Sequence, residues 1–462
     1  MTEGIALPLD RVTEGISLPL GLRDSVDTGA GTLAGASEDF GHIVEAPPLG
    51  VLRPRSEKQI QELIVFAGPR GLPVAVRGGG HSVYGQGQAA GGFVIDMSTM
   101  DSVLSVSDDR VVVEAGALWT DVVRATLGRG LAPPVLTDHL STSVGGVLCA
   151  GGLGSASHRL GLVTDSVLAL DVVTGTGELV TCTPEHESEL YRAVLAGLGQ
   201  CAVIVRATLR LVPAPQRVRR YRLYHADLRS YLADQRKLLH DGRFDQLRGQ
   251  ARPTAGPGWE FVVEAAAHHT RSRPSDDADL LDDLHHERGT EEIEDLAFTD
   301  FLHRAAAEER ILRVTGEWLR PHPWLSLLLP EDRVPDLVPT VLGGEAQRDL
   351  RTAGLVLLSP LLAERLRSPL LRRPAGSVIH LFALLRTAPP ADRAAVERMM
   401  EANRAVYEQA RALGATAYPV NAIPMSPADW RTHYGPAWDT LARAKDRHDP
   451  RRILAPGYGL WR

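Results

Sequence analysis

The chain has 462 residues, 44% hydrophobic and 23% charged, with 50 Lys plus Arg against 57 Asp plus Glu. That length predicts roughly two or three folding units with room for sizeable cores. A net charge of −7 without a basic stripe argues against nucleic-acid or anionic-membrane partners, and ordinary apolar content with aperiodic Gly and Pro excludes collagen-like or extended disordered structure.

Residues 1–46 begin with acids and hold Pro8 and Pro19 in their apolar stretch, which is not the basic-then-apolar pattern of a secretion signal. They contain a near-duplicate, TEGIALPL and TEGISLPL, and read as a loose N-terminal arm. No apolar run reaches the ~18 residues of a membrane span. Cys149, Cys182 and Cys201 form no CxxC pair and read as small buried hydrophobes of a reduced, cytoplasmic protein.

Ser56-Glu57-Lys58-Gln59 has the form of a capping box, with Ser56 at the N-cap, Gln59 reaching back, and Ile60, Leu63, Ile64 and Ala67 following on one helical face. Residues 73–76 and 93–96 predict strands, and 103–117 a hairpin turning at Ser107-Asp108-Asp109. Thr120 is expected to cap a helix that stops at Gly128. Residues 133–157 read as a long Gly/Ser/Thr loop, 168–183 as a hairpin around Gly175-Thr176-Gly177, and 203–212 as a strand. Pro213-Ala214-Pro215 marks a boundary. Beyond it lie a charged, Pro-broken excursion over 271–288 and helical patterns over 295–309 and 390–413. Near the end, Asp449 can cap a turn that has Pro450 at its first position.

The most informative stretch is Arg77-Gly78-Gly79-Gly80-His81-Ser82, lying between two strands. Consecutive glycines let backbone approach a ligand and offer N–H groups to phosphate oxygens. Neither a dinucleotide fingerprint nor a phosphate-loop lysine is present. On local pattern alone the favoured reading is a glycine-rich turn with an ordinary exposed histidine.

The same stretch, continued through Gly85-Gln86 and Gly91 to Asp96, resembles the flavin-attachment loop of the vanillyl-alcohol oxidase superfamily, whose FAD domain is called PCMH-type. Thr137-Asp138-His139-Leu140, Ser143-Val144-Gly145-Gly146, Leu170 to Cys182 and Gly197 to Arg206 extend the likeness. Trp318 to Leu325 and Asp449 to Gly457 make it most similar to cytokinin dehydrogenases.

The resemblance implies an α+β protein: a PCMH-type FAD-binding domain of two α/β subdomains over 47–215, completed by 419–462. The substrate domain, over 216–418, would be built on an antiparallel sheet with flanking helices. It implies FAD bonded covalently to His81, with Gly78, Gly79, Gly80, Ser82 and Gln86 around its pyrophosphate and flavin. Asp138, Ser143, Cys149, Leu153, Ile204, Tyr418 and Tyr458 would line the cofactor. Asp138 would be the catalytic carboxylate, and Glu287 the nearest candidate for a second one. No metal is expected: His285-His286-Glu287 lacks the spacing of a metal motif.

The expected activity is oxidation of an allylic secondary amine, such as an N6-isoprenoid adenine, with oxygen or a quinone as final acceptor. The chain departs from the family at Ala455-Pro456-Gly457-Tyr458, where relatives carry Ser-Pro-Gly-Gln. It also lacks a cysteine where bicovalent relatives have one, so attachment through histidine alone is expected. Two other readings stay open: an oxidase of a natural product or sugar alcohol on the same scaffold, and a non-catalytic flavin- or purine-binding module.

Overall fold

The computed structural model describes residues 18–254, 256, 258–270, 276–344, 349–350 and 354–461. The first copy of the N-terminal duplicate and most of the second lie outside them, as do residues 271–275 of the charged excursion.

A four-stranded sheet opens the fold, in the order Val26–Asp27, Gly50–Leu52, Phe93–Asp96, Val74–Arg77, its last three strands parallel. The helix Glu57–Ala67 makes the crossover that parallel pairing requires, burying Ile60, Leu63, Ile64, Phe66 and Ala67. Beside it stands a five-stranded antiparallel sheet: Val103–Val106, Arg110–Glu114, Ala202–Arg210, Val167–Thr174, Leu179–Cys182. The chain's last segment returns here. Lys445 and Asp449, both fully buried, pair at 2.7 Å, and Lys445 Nζ donates to the carbonyls of Gln200 (2.8 Å) and Leu454 (3.1 Å).

The middle of the chain builds an eight-stranded antiparallel sheet, with strands in the order Glu292–Ala297, Arg217–His225, Trp259–His269, Gln246–Pro253, Leu355–Leu362, Val378–Leu385, Leu325–Pro330, Thr416–Ala417. Alternation sorts its faces. Leu325, Leu327, Val356, Leu358, Phe382 and Leu384 point into a core shared with the helices Leu228–Asp241, Val334–Gly343 and Arg393–Ala412. Their neighbours Ser326, Leu357, Leu381, Ala383 and Leu385 face the opposite way, onto a cavity. The α+β architecture with an antiparallel sheet and flanking helices is as the resemblance implied. No helix among the described residues is long and apolar enough to cross a membrane.

Several local expectations are corrected. Ser56 is the N-cap residue but makes no side-chain cap bond; Gln59 reaches back one residue further, to the N–H of Arg55 at 2.7 Å. The helix Trp119–Leu127 begins before Thr120, whose hydroxyl donates instead to the Leu140 carbonyl. The supposed loop over 133–157 contains the helix Val144–Ala150, which Ser143 caps by accepting from the Gly146 N–H at 3.3 Å. The helical stretch expected from residue 295 starts as the edge strand Glu292–Ala297 and becomes helical only at Phe298. Asp449 does head the expected turn over Pro450, its carbonyl accepting from the Arg452 N–H at 2.9 Å and its carboxylate from the N–H groups of Ile453 and Leu454, but it is also the buried partner of Lys445.

Candidate functional site

The strand Val74–Arg77 ends in the glycine run. A side chain on Gly78 would overlap the Ser143 hydroxyl, and Gly80 sits at φ +70°, so both positions require glycine. The loop is stitched to a segment the sequence did not single out. Phe40 N–H donates to Gly80 O (3.0 Å) and Gly41 N–H to Ser82 O (3.2 Å). The Asp39 carboxylate, 3% exposed, accepts from the N–H groups of Gly41 (3.0 Å) and Gly85 (2.7 Å). Burial lifts its pKa to about 6 against the pull of those donors.

The loop forms one wall of a cavity with about 380 Å³ open to water. Gly78, Gly79, Gly80, His81, Ser82 and Gln86 line this wall. Ser143, Cys149, Leu153 and Ile204 line it from the helix Val144–Ala150, the turn after it and the strand Ala202–Arg210. Tyr418 and Tyr458 close it from the returning chain, and Asp138 stands at the junction with the eight-stranded sheet. Gln86 is held by donating to the Asn421 carbonyl at 3.0 Å.

Glu287 is the exception. It is exposed, does not line the cavity, and its N–H donates to the Tyr224 carbonyl at 2.8 Å. The turn that carries it leads into the edge strand Glu292–Ala297, at the opposite end of the sheet from the strands over the cavity. His285 and His286 are each taken by a separate carboxylate, Asp234 at 2.7 Å and Glu291 at 2.8 Å.

Around His81 the rings of Phe40, Trp318 and His139 lie with centroids 5.5, 6.1 and 6.4 Å away. Burial, reinforced by the neighbouring His139, lowers the His81 pKa to about 4, so the imidazole is neutral at physiological pH. Phe40 also stacks on His322 at 4.0 Å, and Trp318 and Trp324 line the cavity beside it. Burial raises the Cys149 thiol to about 12, which keeps it protonated and a poor nucleophile. The hydroxyl of Tyr418, raised to about 12 by burial, faces the N–H groups of Leu153 and Gly152.

Asp138 is gripped by two cations that the sequence reading did not name. Its Oδ1 pairs with Arg304 Nη2, and its Oδ2 lies 3.4 Å from Arg248 Nη1. Arg304 also reaches Glu264 at 3.3 Å and Ser155 Oγ at 3.3 Å, its guanidinium 4.2 Å over the Phe301 ring. Burial alone would raise the Asp138 pKa; the two guanidinia outweigh it, and the net shift is downward. A second cavity of about 190 Å³ is lined by Asp138, Ser155, Gln246 and Arg304 among others.

These surroundings fit a flavin dinucleotide. A cradle without side chains suits a pyrophosphate, and the apolar lining of Val147, Leu153 and Ile204 suits a ring system. Family comparison gives the same cofactor. Residues 48–183 match a family described as FAD binding domain, and residues 251–461 match one described as cytokinin dehydrogenase 1, FAD and cytokinin binding. The chain is 44% identical to an uncharacterized oxidoreductase, ORF5 in the fasciation locus of Rhodococcoides fascians, over 93% of this chain and 97% of that one. It is 35% identical to cytokinin dehydrogenase 10 of Oryza sativa subsp. japonica, covering 96% and 89% of the two chains. With cytokinin dehydrogenase 2 of Arabidopsis thaliana the identity is 32%, covering 96% and 95%.

Proposed function

The chain belongs to the cytokinin dehydrogenase family of FAD-dependent oxidoreductases, and from that premise we propose that it oxidises an allylic secondary amine of the N6-isoprenoid adenine type. The observation that carries this reading is Asp138: an ionised carboxylate at the wall of the flavin cavity, facing an otherwise largely apolar chamber.

FAD supplies the two-electron acceptor; orientation and electrostatics come from the protein. The glycine wall, Ser82, Gln86 and Ser143 would hold the cofactor, with the neutral His81 imidazole as its point of attachment. Asp138 accepts a hydrogen bond from the substrate amine N–H. A carboxylate held this acidic is a weak base in the ground state. As hydride leaves the neighbouring carbon, however, the N–H becomes far more acidic, and Asp138 can then take its proton. The resulting imine adds water and splits into adenine and an aldehyde. Leu357, Leu381, Leu385 and Trp324 offer the apolar contact an isoprenoid chain needs and keep water from the reacting carbon.

The test is incubation of the purified holoenzyme with isopentenyladenine and a dye acceptor. Adenine and the unsaturated aldehyde should appear in equal amounts. Dye reduction by a sugar alcohol or another alcohol, without release of adenine from any N6-alkenyl adenine, would replace this reading with the alcohol-oxidase one.

A further inference from the structure

We propose that Arg304, backed by Arg248, is a positioning residue for the oxidation: it reaches across from the substrate sheet and its following helix to hold Asp138 in one orientation, as an acceptor only. This rests on the amine-oxidising reading given above. The carboxylate sits on the loop before the helix Val144–Ala150, on the FAD side of the molecule. Both cations come from the other side, Arg304 from the start of the helix Arg304–Val314 and Arg248 from the strand Gln246–Pro253. The acceptor is therefore complete only when the substrate sheet is seated against the flavin half.

The packing makes Arg304 the key member. Its side chain is 11% exposed and bridges two carboxylates, Asp138 at 26% and Glu264 at 9%. Its Nη2 also reaches Ser155 Oγ, its Nη1 donates to the Phe301 carbonyl at 3.1 Å, and the Phe301 ring covers its face. A guanidinium planted this way has no freedom to leave. The other charged groups around Asp138 are also fixed. Arg248 faces it from the neighbouring strand, with Glu308 near Arg248. Arg222 stands 3.7 Å from Glu264 on the strand Arg217–His225. His139, next in sequence, lies 3.8 Å from Glu309.

Without Arg304, Asp138 keeps only the more distant Arg248 and Glu264 only Arg222, so protonating the carboxyl becomes less costly than in wild type. A protonated Asp138 would offer its own O–H, the wrong polarity for an amine N–H. The device thus enforces a direction of hydrogen bonding that a solitary carboxyl in this cavity would not keep.

The experiment compares holoenzyme of wild type, Arg304→Met and Arg304→Lys, checked first for equal flavin content by their visible spectra. Difference infrared spectra between about pH 5 and about pH 8 read the carboxyl directly, near the ordinary carboxyl range. Arg304→Met should show a protonated-carboxyl band at the acid end that wild type lacks and that disappears when Asp138→Asn is added. Anaerobic flavin reduction by isopentenyladenine should fall by about tenfold or more in Arg304→Met, with its acid limb moved to higher pH. Arg304→Lys should recover part of the rate and return the limb towards the wild-type position. A merely structural role would lower flavin content or rate without moving the limb or creating the band, and that result overturns the proposal. A wild-type band at the same pH that Asp138→Asn removes also overturns it; the band of Asp39, whose pKa burial lifts to about 6, is common to all the variants. If the band behaves as stated but wild-type flavin is never bleached by N6-alkenyl adenines, the substrate reading fails and the hold on Asp138 stands.

Discussion

The hydroxyl of Ser143 fills the space that a side chain on Gly78 would need. Two segments 65 residues apart thus meet with no room between them, one the flavin loop and the other the cap of the helix Val144–Ala150. Gly78→Ala should push the loop off this wall. The expected result is loss of most bound flavin, read from the ratio of visible to ultraviolet absorbance, and a stability loss of about 1–3 kcal/mol. Adding Ser143→Gly should restore flavin content in part. Normal flavin in Gly78→Ala would show that the contact does not shape the cradle.

His81→Ala addresses attachment separately from binding. The glycine wall and Ser143 remain, so the variant should still purify yellow. After acid precipitation its flavin should be in the supernatant, whereas wild-type flavin should stay in the pellet. Cys149, protonated up to about 12, should not substitute as the attachment point.

Stability should weaken towards acid. Burial holds His81, His322 and His433 at about 4 and His380 at about 3. In the unfolded chain each takes up a proton at about 6.5. Between those values the unfolded state binds more protons, so stability falls as pH drops from about 6.5 to about 4. Asp39, raised to about 6, acts in reverse: its share is present at low pH and fades as pH rises through that value. The histidines outnumber it. Denaturation midpoints measured across this window should show the fall. His380→Gln should lower the slope by about 1.4 kcal/mol per pH unit, one proton's worth. An unchanged slope would mean that His380 takes up a proton in the folded state.

Lys445→Met should be severe. It strands a fully buried Asp449 carboxylate and frees the carbonyls of Gln200 and Leu454. A cost of about 3–5 kcal/mol is expected from urea titration, because breaking one side of a buried pair leaves an unbalanced charge. Tyr458, which lines the flavin cavity a few residues further on, should lose its seat, so flavin should be lost together with stability.

What could be read from sequence was local. The helix Glu57–Ala67 and the strands at residues 74–77, 93–96, 103–114 and 167–182 announce themselves by periodicity and turns within a dozen residues. The helix Val144–Ala150 did not, because its glycines and small residues look like loop until the packing on both sides is known. The thirteen cavity residues apart from Glu287 came from likeness to a family rather than from pattern, and all of them line one chamber. Arg304, Arg248, Glu264 and Asp39 were invisible for a different reason. Arg304 lies 166 residues from Asp138, and Asp39 lies 46 from Gly85. A charge has no local signature that names such a partner. Glu287 failed on topology: an acidic residue near the right place in sequence landed at the wrong edge of the sheet.

On the proposed reading, an ionised Asp138 beside the flavin takes part in oxidising an N6-alkenyl adenine. Mixing the holoenzyme anaerobically with isopentenyladenine, while recording the visible flavin band, tests it most directly. Wild type should bleach rapidly, and Asp138→Asn, with its flavin still bound, should bleach at a rate lower by about two orders of magnitude. Bleaching at the same rate in both proteins, or no bleaching of wild type by any N6-alkenyl adenine, would contradict it.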